Sequence, residues 1–205
     1  MEIDAEMEAV LRRRAKAVLR KRARGLRSAI PRDAIAARSA RIVERLAALP
    51  ELRDARAVAL FYPIEGRNEV DLLALDASLR AQHKGVFYPA IDPDTRVMTF
   101  RAVDDLASLE ERGLGFREPG PEAPEAAALD VIVVPALQID ERGHRLGYGA
   151  GFYDRTLPRF APPARTVGVA FSFQLVPELP DTEGDVPLDL IVTDEQVIAP
   201  ARGGR

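Results

Sequence analysis

Residues 131–157 read VIVVPALQIDERGHRLGYGAGFYDRTL, and this stretch carries the most informative pattern in the 205-residue chain. Its first part, an apolar run, is typical of a strand that is buried on both faces of a parallel sheet. A turn, DERGH, follows, and then come three glycines at alternate positions, 147, 149 and 151. Ligands bind at the carboxyl ends of parallel strands, so the glycine stretch is expected at that edge of the sheet.

The flanking sequence predicts one α/β domain over residues 1–205, with strands and helices in alternation. Apolar runs predict strands at 55–63, 84–91, 129–137, 165–171 and 188–194, with an edge strand at 96–103 and a short last strand at 196–198. Helical spacing predicts helices at 4–28, 28–49 and 69–82, of which the first two form an N-terminal helical hairpin within residues 1–49. A proline- and alanine-rich loop is predicted at 117–128, and a frayed tail at 200–205.

Composition narrows the class of protein. The chain has no cysteine, which excludes disulfides, thiolate metal sites and cysteine nucleophiles. Its net charge of −3 gives no general argument for a nucleic-acid or membrane partner. The N-terminus alternates acidic and basic blocks and lacks the apolar core of a signal peptide, so a cytoplasmic location is expected.

The glycine stretch allows two interpretations. Glycines permit positive φ, and consecutive backbone N–H groups in such a loop can bind an anion, but a flexible turn explains a bare G-x-G-x-G equally well. Asp154 favours the first interpretation, because a carboxylate beside a phosphate needs a cation between them, most often Mg²⁺. The expected second carboxylate is Asp189, with Asp185 as the alternative; Asp189 could also be a simple strand-start residue.

Two other segments offer polar groups. Arg12 and Lys16 lie one helical turn apart and share a face, from which they could reach phosphates. A solvated face of an amphipathic helix is the alternative, and neighbouring acidic residues argue against nucleic-acid binding. Glu69 could accept hydrogen bonds from a polar substrate, and Tyr62 could stack on it, although carboxylates there could simply cap the next helix.

Residues 131–155 closely resemble the 5-formyltetrahydrofolate cyclo-ligase family, also called methenyltetrahydrofolate synthetase. That family has an apolar strand ending in V-P-G-L, followed by D-x-x-G-x-R-L-G-x-G-x-G-[YF]-Y-D-R. Looser similarity includes E-V-D at 69–71 and D-x-P-L-D-L-I-V-T at 185–193. Two departures are Ala136, where the family usually has glycine, and an N-terminal Lys-x-x-x-Arg pair whose members are exchanged here.

The resemblance implies a three-layer α/β/α fold of the CoA-transferase-like type, with a mainly parallel sheet. It also implies an enzyme that converts 5-formyltetrahydrofolate into 5,10-methenyltetrahydrofolate through a phosphorylated formyl intermediate, with ATP as co-substrate and Mg²⁺ as cofactor. Such a chain is expected to be a monomer without nucleic-acid or membrane partners. The alternatives are a homologue that uses ATP on a different small substrate, decided by residues 62–71, and a non-catalytic nucleotide-binding protein.

Site residues follow from the same resemblance by position. The ATP contacts are expected at Arg12, Lys16, Arg145, Gly147, Tyr148, Gly149, Ala150, Gly151, Phe152 and Tyr153. The folate contacts are expected at Tyr62, Glu69, Phe152 and Tyr153. Asp154 and Asp189 are expected to hold Mg²⁺, and Arg145 and Tyr153 to take part in catalysis.

Overall fold

A central sheet with helices on both faces organises the computed structural model, which describes residues 5–92, 94–113, 115–182 and 184–201. The strands are β1 (Ala57–Ala59), β2 (Gly85–Ile91), β3 (Met98–Ala102), β4 (Glu110–Glu111), β5 (Arg117–Glu118), β6 (Val131–Pro135), β7 (Gln138–Asp140), β8 (Arg145–Leu146), β9 (Arg165–Val169), β10 (Leu175–Val176), β11 (Leu190–Val192) and β12 (Val197–Ile198). The α-helices are α1 (Ala5–Ser28), α2 (Arg32–Ala48), α3 (Pro50–Asp54), α4 (Leu73–Ala81) and α5 (Phe152–Thr156). Most of the predicted tail, residues 202–205, lies outside the described residues.

The central sheet has the strand order β12-β11-β9-β6-β1-β2-β3. Its inner strands, from β11 to β2, pair in parallel, whereas β12 and β3 pair antiparallel at the two edges. The mainly parallel sheet and the edge strand at 96–103 are therefore confirmed. Because the parallel strands run in one direction, their carboxyl ends all meet at one edge of the sheet.

Two apolar cores lie on opposite faces of this sheet. Alternate residues of β6 face opposite sides, as a period of two requires: Val131 and Val133 belong to one core, Ile132 and Val134 to the other. The first core includes the buried faces of α2, α3 and α4, and the second includes the 3₁₀ turn after α5 (Leu157–Arg159). This arrangement confirms the three-layer prediction and the two-sided burial of β6.

A small second sheet, β10-β7-β8, was not predicted from the sequence and carries the glycine stretch. The chain leaves β6, enters β7, and returns antiparallel along β8, so that residue 145 pairs with Ile139. Asp140 stabilises the intervening turn because its Oδ1 accepts hydrogen bonds from the N–H groups of Arg142 and His144. Gly143 is required there, since it has φ +87° and an added Cβ would lie 2.7 Å from the Leu188 carbonyl oxygen.

Helix α1 docks through its polar face, although Leu11, Val18 and Leu26 recur at helical spacing and predict a buried apolar stripe. Val18 is 70% exposed, and Leu11 and Leu26 are also exposed. Lys16 and Arg27 are buried instead. The loops that α1 covers present carboxylate and carbonyl oxygens, so cationic side chains make the better contact. None of the described helices is long and apolar enough to cross a membrane.

Candidate active site

A cavity of about 590 Å³ opens at the carboxyl edge of the central sheet. Phe61 and Tyr62, which follow β1, line it together with Ile91 at the end of β2 and Pro135 at the end of β6. The glycine loop, residues 147–151, and the polar face of α1 also line it. The cavity therefore occupies the place where parallel sheets bind ligands.

The glycine loop connects β8 to α5 and has the backbone conformation that its sequence suggests. Gly149 has φ +108° and Gly151 has φ +66°, both in the region that side chains disfavour. Arg20 of α1 packs against the loop: its Nε donates to the Gly147 carbonyl oxygen at 2.9 Å, and a Cβ at Gly149 would meet the guanidinium carbon at 3.2 Å. Helix α5 has only five residues, so its dipole adds little positive potential to the loop.

Seven basic residues are among those that line the cavity, and four of them come from α1 and β8: Arg13, Lys16, Arg20 and Arg145. Arg12, the other expected ATP contact on α1, is not among the residues that line it. Arg12 binds Glu8 and Asp181 instead. Arg13 and Arg20 flank Lys16 on the face that α1 turns to the cavity, because residues three and four apart share a helical face.

Arg145 is the most buried of these cations, with a side chain only 5% exposed. Its Nη2 donates to Asp154 Oδ1 at 2.7 Å and its Nη1 to the Val186 carbonyl oxygen at 2.6 Å. Burial lowers the pKa of Arg145, while the charges of Asp154 and Asp185 oppose that change. The guanidinium is thus held rigidly at the cationic end of the cavity, here defined by Lys16, Arg20, Arg145 and the glycine loop.

The aspartates divide into two groups. Asp154 and Asp185 line the cavity, and Asp185 accepts hydrogen bonds from Lys16 and from the Thr182 N–H. Burial favours a higher pKa for Asp185, but these hydrogen bonds outweigh burial and lower the pKa. Asp189 is not among the lining residues: it precedes β11, and its carboxylate accepts from the Thr166 N–H at 2.9 Å and from Arg165.

The structure therefore brings Asp185, rather than Asp189, to the cavity beside Asp154. Its described residues contain no group of three or more His, Cys, Asp or Glu side chains able to hold a metal ion. Two carboxylates beside a glycine-rich loop suit Mg²⁺, which commonly takes one or two protein carboxylates and completes its shell with water and phosphate oxygens. The donor set fits a metal ion that arrives with a nucleotide.

Glu69 lies at the other end of the cavity and is held by three different segments. Its Oε2 accepts from the Ile64 N–H at 2.8 Å, and its Oε1 accepts from Tyr148 Oη at 2.6 Å. The Arg27 guanidinium lies 3.6 Å from Oε1. Burial, followed by the charge of Glu69, raises the pKa of Tyr148 to about 12, so its hydroxyl remains a donor at neutral pH. Asp71, in contrast, caps the start of α4 through the Leu73 N–H.

Aromatic side chains lie between the two ends of the cavity. Phe152 has the guanidinium carbons of Arg96 and Arg155 at 5.6 and 5.5 Å from its ring centroid. Tyr62 has Arg117 over its ring at 5.3 Å. Tyr153 is half-buried, but its Oη is buried and has no hydrogen-bond partner among the described residues. Burial raises the pKa of this phenol, which therefore stays protonated and available to a bound ligand.

Sequence reasoning missed several cations at this site. Arg20 was detectable, because it continues the Lys16 face by one turn, and Arg27 continues it further. Arg96 and Arg117 gave no local signal: one follows the turn after β2, the other lies in β5, and only the fold brings both to the cavity.

Comparison with known proteins agrees with this geometry. The sequence model of the 5-formyltetrahydrofolate cyclo-ligase family matches residues 12–194. A curated 5-formyltetrahydrofolate cyclo-ligase of Haemophilus influenzae is 34% identical over 151 residues, which are 70% of this chain and 79% of the relative. That of Escherichia coli is 34% identical over 158 residues, which are 75% of this chain and 86% of the relative. The solved Aquifex aeolicus 5,10-methenyltetrahydrofolate synthetase superposes with a TM-score of 0.79 at 33% identity, covering 93% of this chain and 94% of its own.

Proposed function

The chain belongs to the 5-formyltetrahydrofolate cyclo-ligase family, and we propose that it converts 5-formyltetrahydrofolate into 5,10-methenyltetrahydrofolate at the expense of ATP. One observation of the structure carries this proposal: a single cavity has a cationic, glycine-lined end and an aromatic end that contains a held carboxylate, Glu69. A nucleotide and a pterin need these two environments, and transfer between them needs both in one cavity.

The reaction follows from the chemistry of the formyl group. A formamide oxygen is a poor leaving group, so the γ-phosphoryl group of ATP is first transferred to it, which releases ADP. N10 of the folate then attacks the formyl carbon, the carbon–oxygen bond breaks, and phosphate departs with the former formyl oxygen. N10 loses its proton, and the five-membered ring is closed. No protein nucleophile is needed, which agrees with a chain that contains no cysteine.

The protein's own task is to position the reactants and neutralise charge. Lys16, Arg20 and Arg145 neutralise the phosphates, while the N–H groups of the glycine loop, between β8 and α5, donate hydrogen bonds to the phosphate oxygens. The unpartnered Tyr153 hydroxyl donates a hydrogen bond to the phosphoryl group as it transfers. Arg145 and Tyr153 are thus the proposed catalytic residues, since both touch the reacting atoms.

Asp154 and Asp185 hold Mg²⁺ in this proposal. The ion supplies neutralisation of the β- and γ-phosphate charge when it is bound with the nucleotide. Asp154 also fixes Arg145 in the cationic end through their 2.7 Å hydrogen bond. This assignment keeps Asp154 from the sequence-based expectation and takes the alternative, Asp185, for the second ligand.

The folate binds at the aromatic end. Tyr62, Phe152 and Tyr153 contact its rings, and Glu69 accepts hydrogen bonds from the pterin N–H groups. In this proposal the protein is a monomer that acts on ATP and 5-formyltetrahydrofolate alone. We place the activity in the cytoplasm, where ATP is available.

The test is the absorbance change that accompanies methenyltetrahydrofolate formation, followed at high enzyme concentration with and without ATP and Mg²⁺. The proposal predicts product only when ATP, Mg²⁺ and 5-formyltetrahydrofolate are all present, and its loss on chelation of Mg²⁺. The Asp154→Asn variant should have no activity. Its matched control is Glu178→Gln, which changes an exposed carboxylate that pairs with Arg142. ATP binding without any turnover would contradict the proposal and favour a different second substrate.

A further inference from the structure

Arg27 occupies the last turn of α1 and has no role in the site as described so far. Its side chain is only 4% exposed, although it belongs to a helix whose other arginines mostly face solvent. Its Nη2 donates a hydrogen bond to Tyr148 Oη, and the same nitrogen lies 3.6 Å from Glu69 Oε1. A buried arginine between a loop hydroxyl and a cavity carboxylate is costly unless its charge is used.

The hydrogen bonds in this cluster have a fixed direction. Arginine can only donate, so Tyr148 Oη accepts from Arg27 and its own proton must point elsewhere. That proton points to Glu69 Oε1, 2.6 Å away, while Oε2 accepts from the Ile64 N–H. Each carboxylate oxygen retains a lone pair, because an ionised carboxylate offers about four acceptor positions. The cluster therefore fixes the orientation of Glu69 and places a positive charge beside it.

We propose that Arg27 is a positioning residue for the folate: acting through Tyr148, it holds Glu69 as an oriented acceptor for the pterin. The proposal rests on the proposed function, because it needs a pterin at the aromatic end. Tyr148 belongs to the glycine loop and Glu69 to the segment after β1, so Arg27 also joins the nucleotide-binding loop to the folate-binding segment.

A purely structural role for Arg27 would be to fasten α1 to the domain. That helix has other attachments, however: Lys16 binds Asp185, Arg20 binds the Gly147 carbonyl, and Ala23 is buried. Asn68 further holds the end of α1, since its Nδ2 donates to the carbonyl oxygens of Arg27 and Ile30. These contacts use the backbone or other residues, so they survive a change of the Arg27 side chain.

The experiment compares Arg27→Gln, Arg27→Lys and Tyr148→Phe with the wild type, and Arg24→Gln is the matched control. Arg24 lies one turn before Arg27 on the same helix and is exposed. Binding of 5-formyltetrahydrofolate is measured by calorimetry without nucleotide, and KM values for both substrates are measured in the absorbance assay. Melting temperatures report on folding.

We expect Arg27→Gln to weaken folate binding about tenfold or more, as loss of a charged buried hydrogen bond does, while KM for ATP changes less than about threefold. Arg27→Lys should restore part of the affinity, because an ammonium keeps the charge. Tyr148→Phe should weaken folate in the same direction. The double variant Arg27→Gln/Tyr148→Phe should lose little more than the worse single variant, because both act through one chain of hydrogen bonds.

Equal loss of affinity for folate and ATP would overturn the inference, and so would fully additive effects in the double variant. Folate affinity that stays unchanged in both Arg27→Gln and Tyr148→Phe would overturn it as well. If Arg27→Gln fails to fold, the folate affinity of Tyr148→Phe alone tests the inference. Failure of the proposed function would look different, since the wild-type protein itself would then neither bind nor convert 5-formyltetrahydrofolate.

Discussion

At the scale of single residues, the position of an aspartate relative to its strand decides what it can do. Asp189 directly precedes β11, and the residue before a parallel strand lies at the amino edge of the sheet, away from the ligand-binding edge. Asp185 lies in the preceding loop, which returns to the cavity beside Lys16. Both carboxylates are evident in the sequence. Choosing which of them reaches the cavity required the direction of β11, which only the structure gives.

This distinction predicts opposite effects for two similar substitutions. Asp185→Asn should raise the Mg²⁺ concentration for half-maximal activity by at least about tenfold, because a metal ligand is lost. Asp189→Asn should leave that concentration unchanged and lower the free energy of unfolding by about 1–3 kcal/mol, because it weakens the acceptor for Thr166 and Arg165. A magnesium titration of activity and urea unfolding of both variants would separate them. If Asp189→Asn raised the Mg²⁺ requirement and Asp185→Asn did not, Asp189 rather than Asp185 would be the metal ligand.

The carboxylates at 69 and 71 form a second matched pair. Glu69 is buried at the cavity, whereas Asp71 is exposed and caps α4. Glu69→Gln should raise KM for 5-formyltetrahydrofolate about tenfold or more with little change for ATP, since an amide is a weaker acceptor than a carboxylate. Asp71→Asn should preserve both KM values. Steady-state kinetics of the two variants checks this, and equal effects on both substrates would argue against a pterin contact at Glu69.

At the scale of elements, the helices and strands that can be predicted from the sequence are those whose apolar residues recur with a clear pattern. Strand β6 is apolar at nearly every position and was predicted as a two-sided strand, and α2 buries Ile35, Ser39, Ile42 and Leu46 as its spacing indicates. The sheet formed by β7, β8 and β10 escaped prediction, because strands of two or three residues have no measurable period. Its existence depends on β10, which is distant in sequence.

Helix α1 shows why a period alone does not identify the buried face. The apolar side chains and the basic side chains both recur at helical spacing, and the hydrophobic effect ordinarily favours burial of the first set. Here the surface beneath the helix is the active-site edge, where Asp181, Asp185 and the Gly147 carbonyl need cations. The surface that α1 packs against, rather than the composition of α1 itself, determines which face of the helix is buried.

Two lysine substitutions on α1 test this orientation. Val18→Lys changes a side chain that is 70% exposed, so the free energy of unfolding should stay within about 0.5 kcal/mol of wild type. Ala23→Lys places a charge at a buried position and should displace the helix, which would weaken ATP binding. Thermal unfolding and calorimetric titration with ATP measure both effects. Greater damage from Val18→Lys than from Ala23→Lys would mean that α1 docks through its apolar face.

At the scale of the whole molecule, hydrogen-bonded carboxylates join distant elements. Asp194, after β11, accepts hydrogen bonds from Arg38 of α2 and from the Ser172 N–H. Burial favours a higher pKa, but these hydrogen bonds outweigh it, so the pKa of Asp194 in the folded protein is lower than usual. A lowered folded-state pKa contributes stability above the unfolded-state value, near 3.9, and that stability is lost as pH falls toward the folded-state pKa.

The free energy of unfolding should therefore decrease as the pH falls from about 5 to 3. Asp194→Asn should be less stable than wild type at pH 7 and should lose less stability over that range, because the substituted side chain no longer titrates. Urea unfolding at several pH values measures both slopes. An unchanged slope in the variant would show that Asp194 does not contribute to acid sensitivity.

The complete site is a property of the folded chain rather than of any one segment. Cations from α1, β5, β8, the segment after β1 and the turn after β2 meet in one cavity. In the sequence, the glycine stretch and Asp154 indicated the cationic end of the cavity, where we propose that phosphates bind. Arg20 and Arg27 could have been found from the sequence, because they continue the Lys16 face of α1. Arg96 and Arg117 could be assigned only from the fold, since a single arginine in a sequence rich in arginine carries no positional information.

The central claim is that ATP phosphorylates the formyl oxygen of the folate inside this cavity. Enzyme, ATP and Mg²⁺ would be mixed with 5-formyltetrahydrofolate that carries oxygen-18 in the formyl group, and the released phosphate would be analysed by mass spectrometry. The account predicts one oxygen-18 atom in each phosphate released with methenyltetrahydrofolate. Unlabelled phosphate accompanying methenyltetrahydrofolate formation would contradict it.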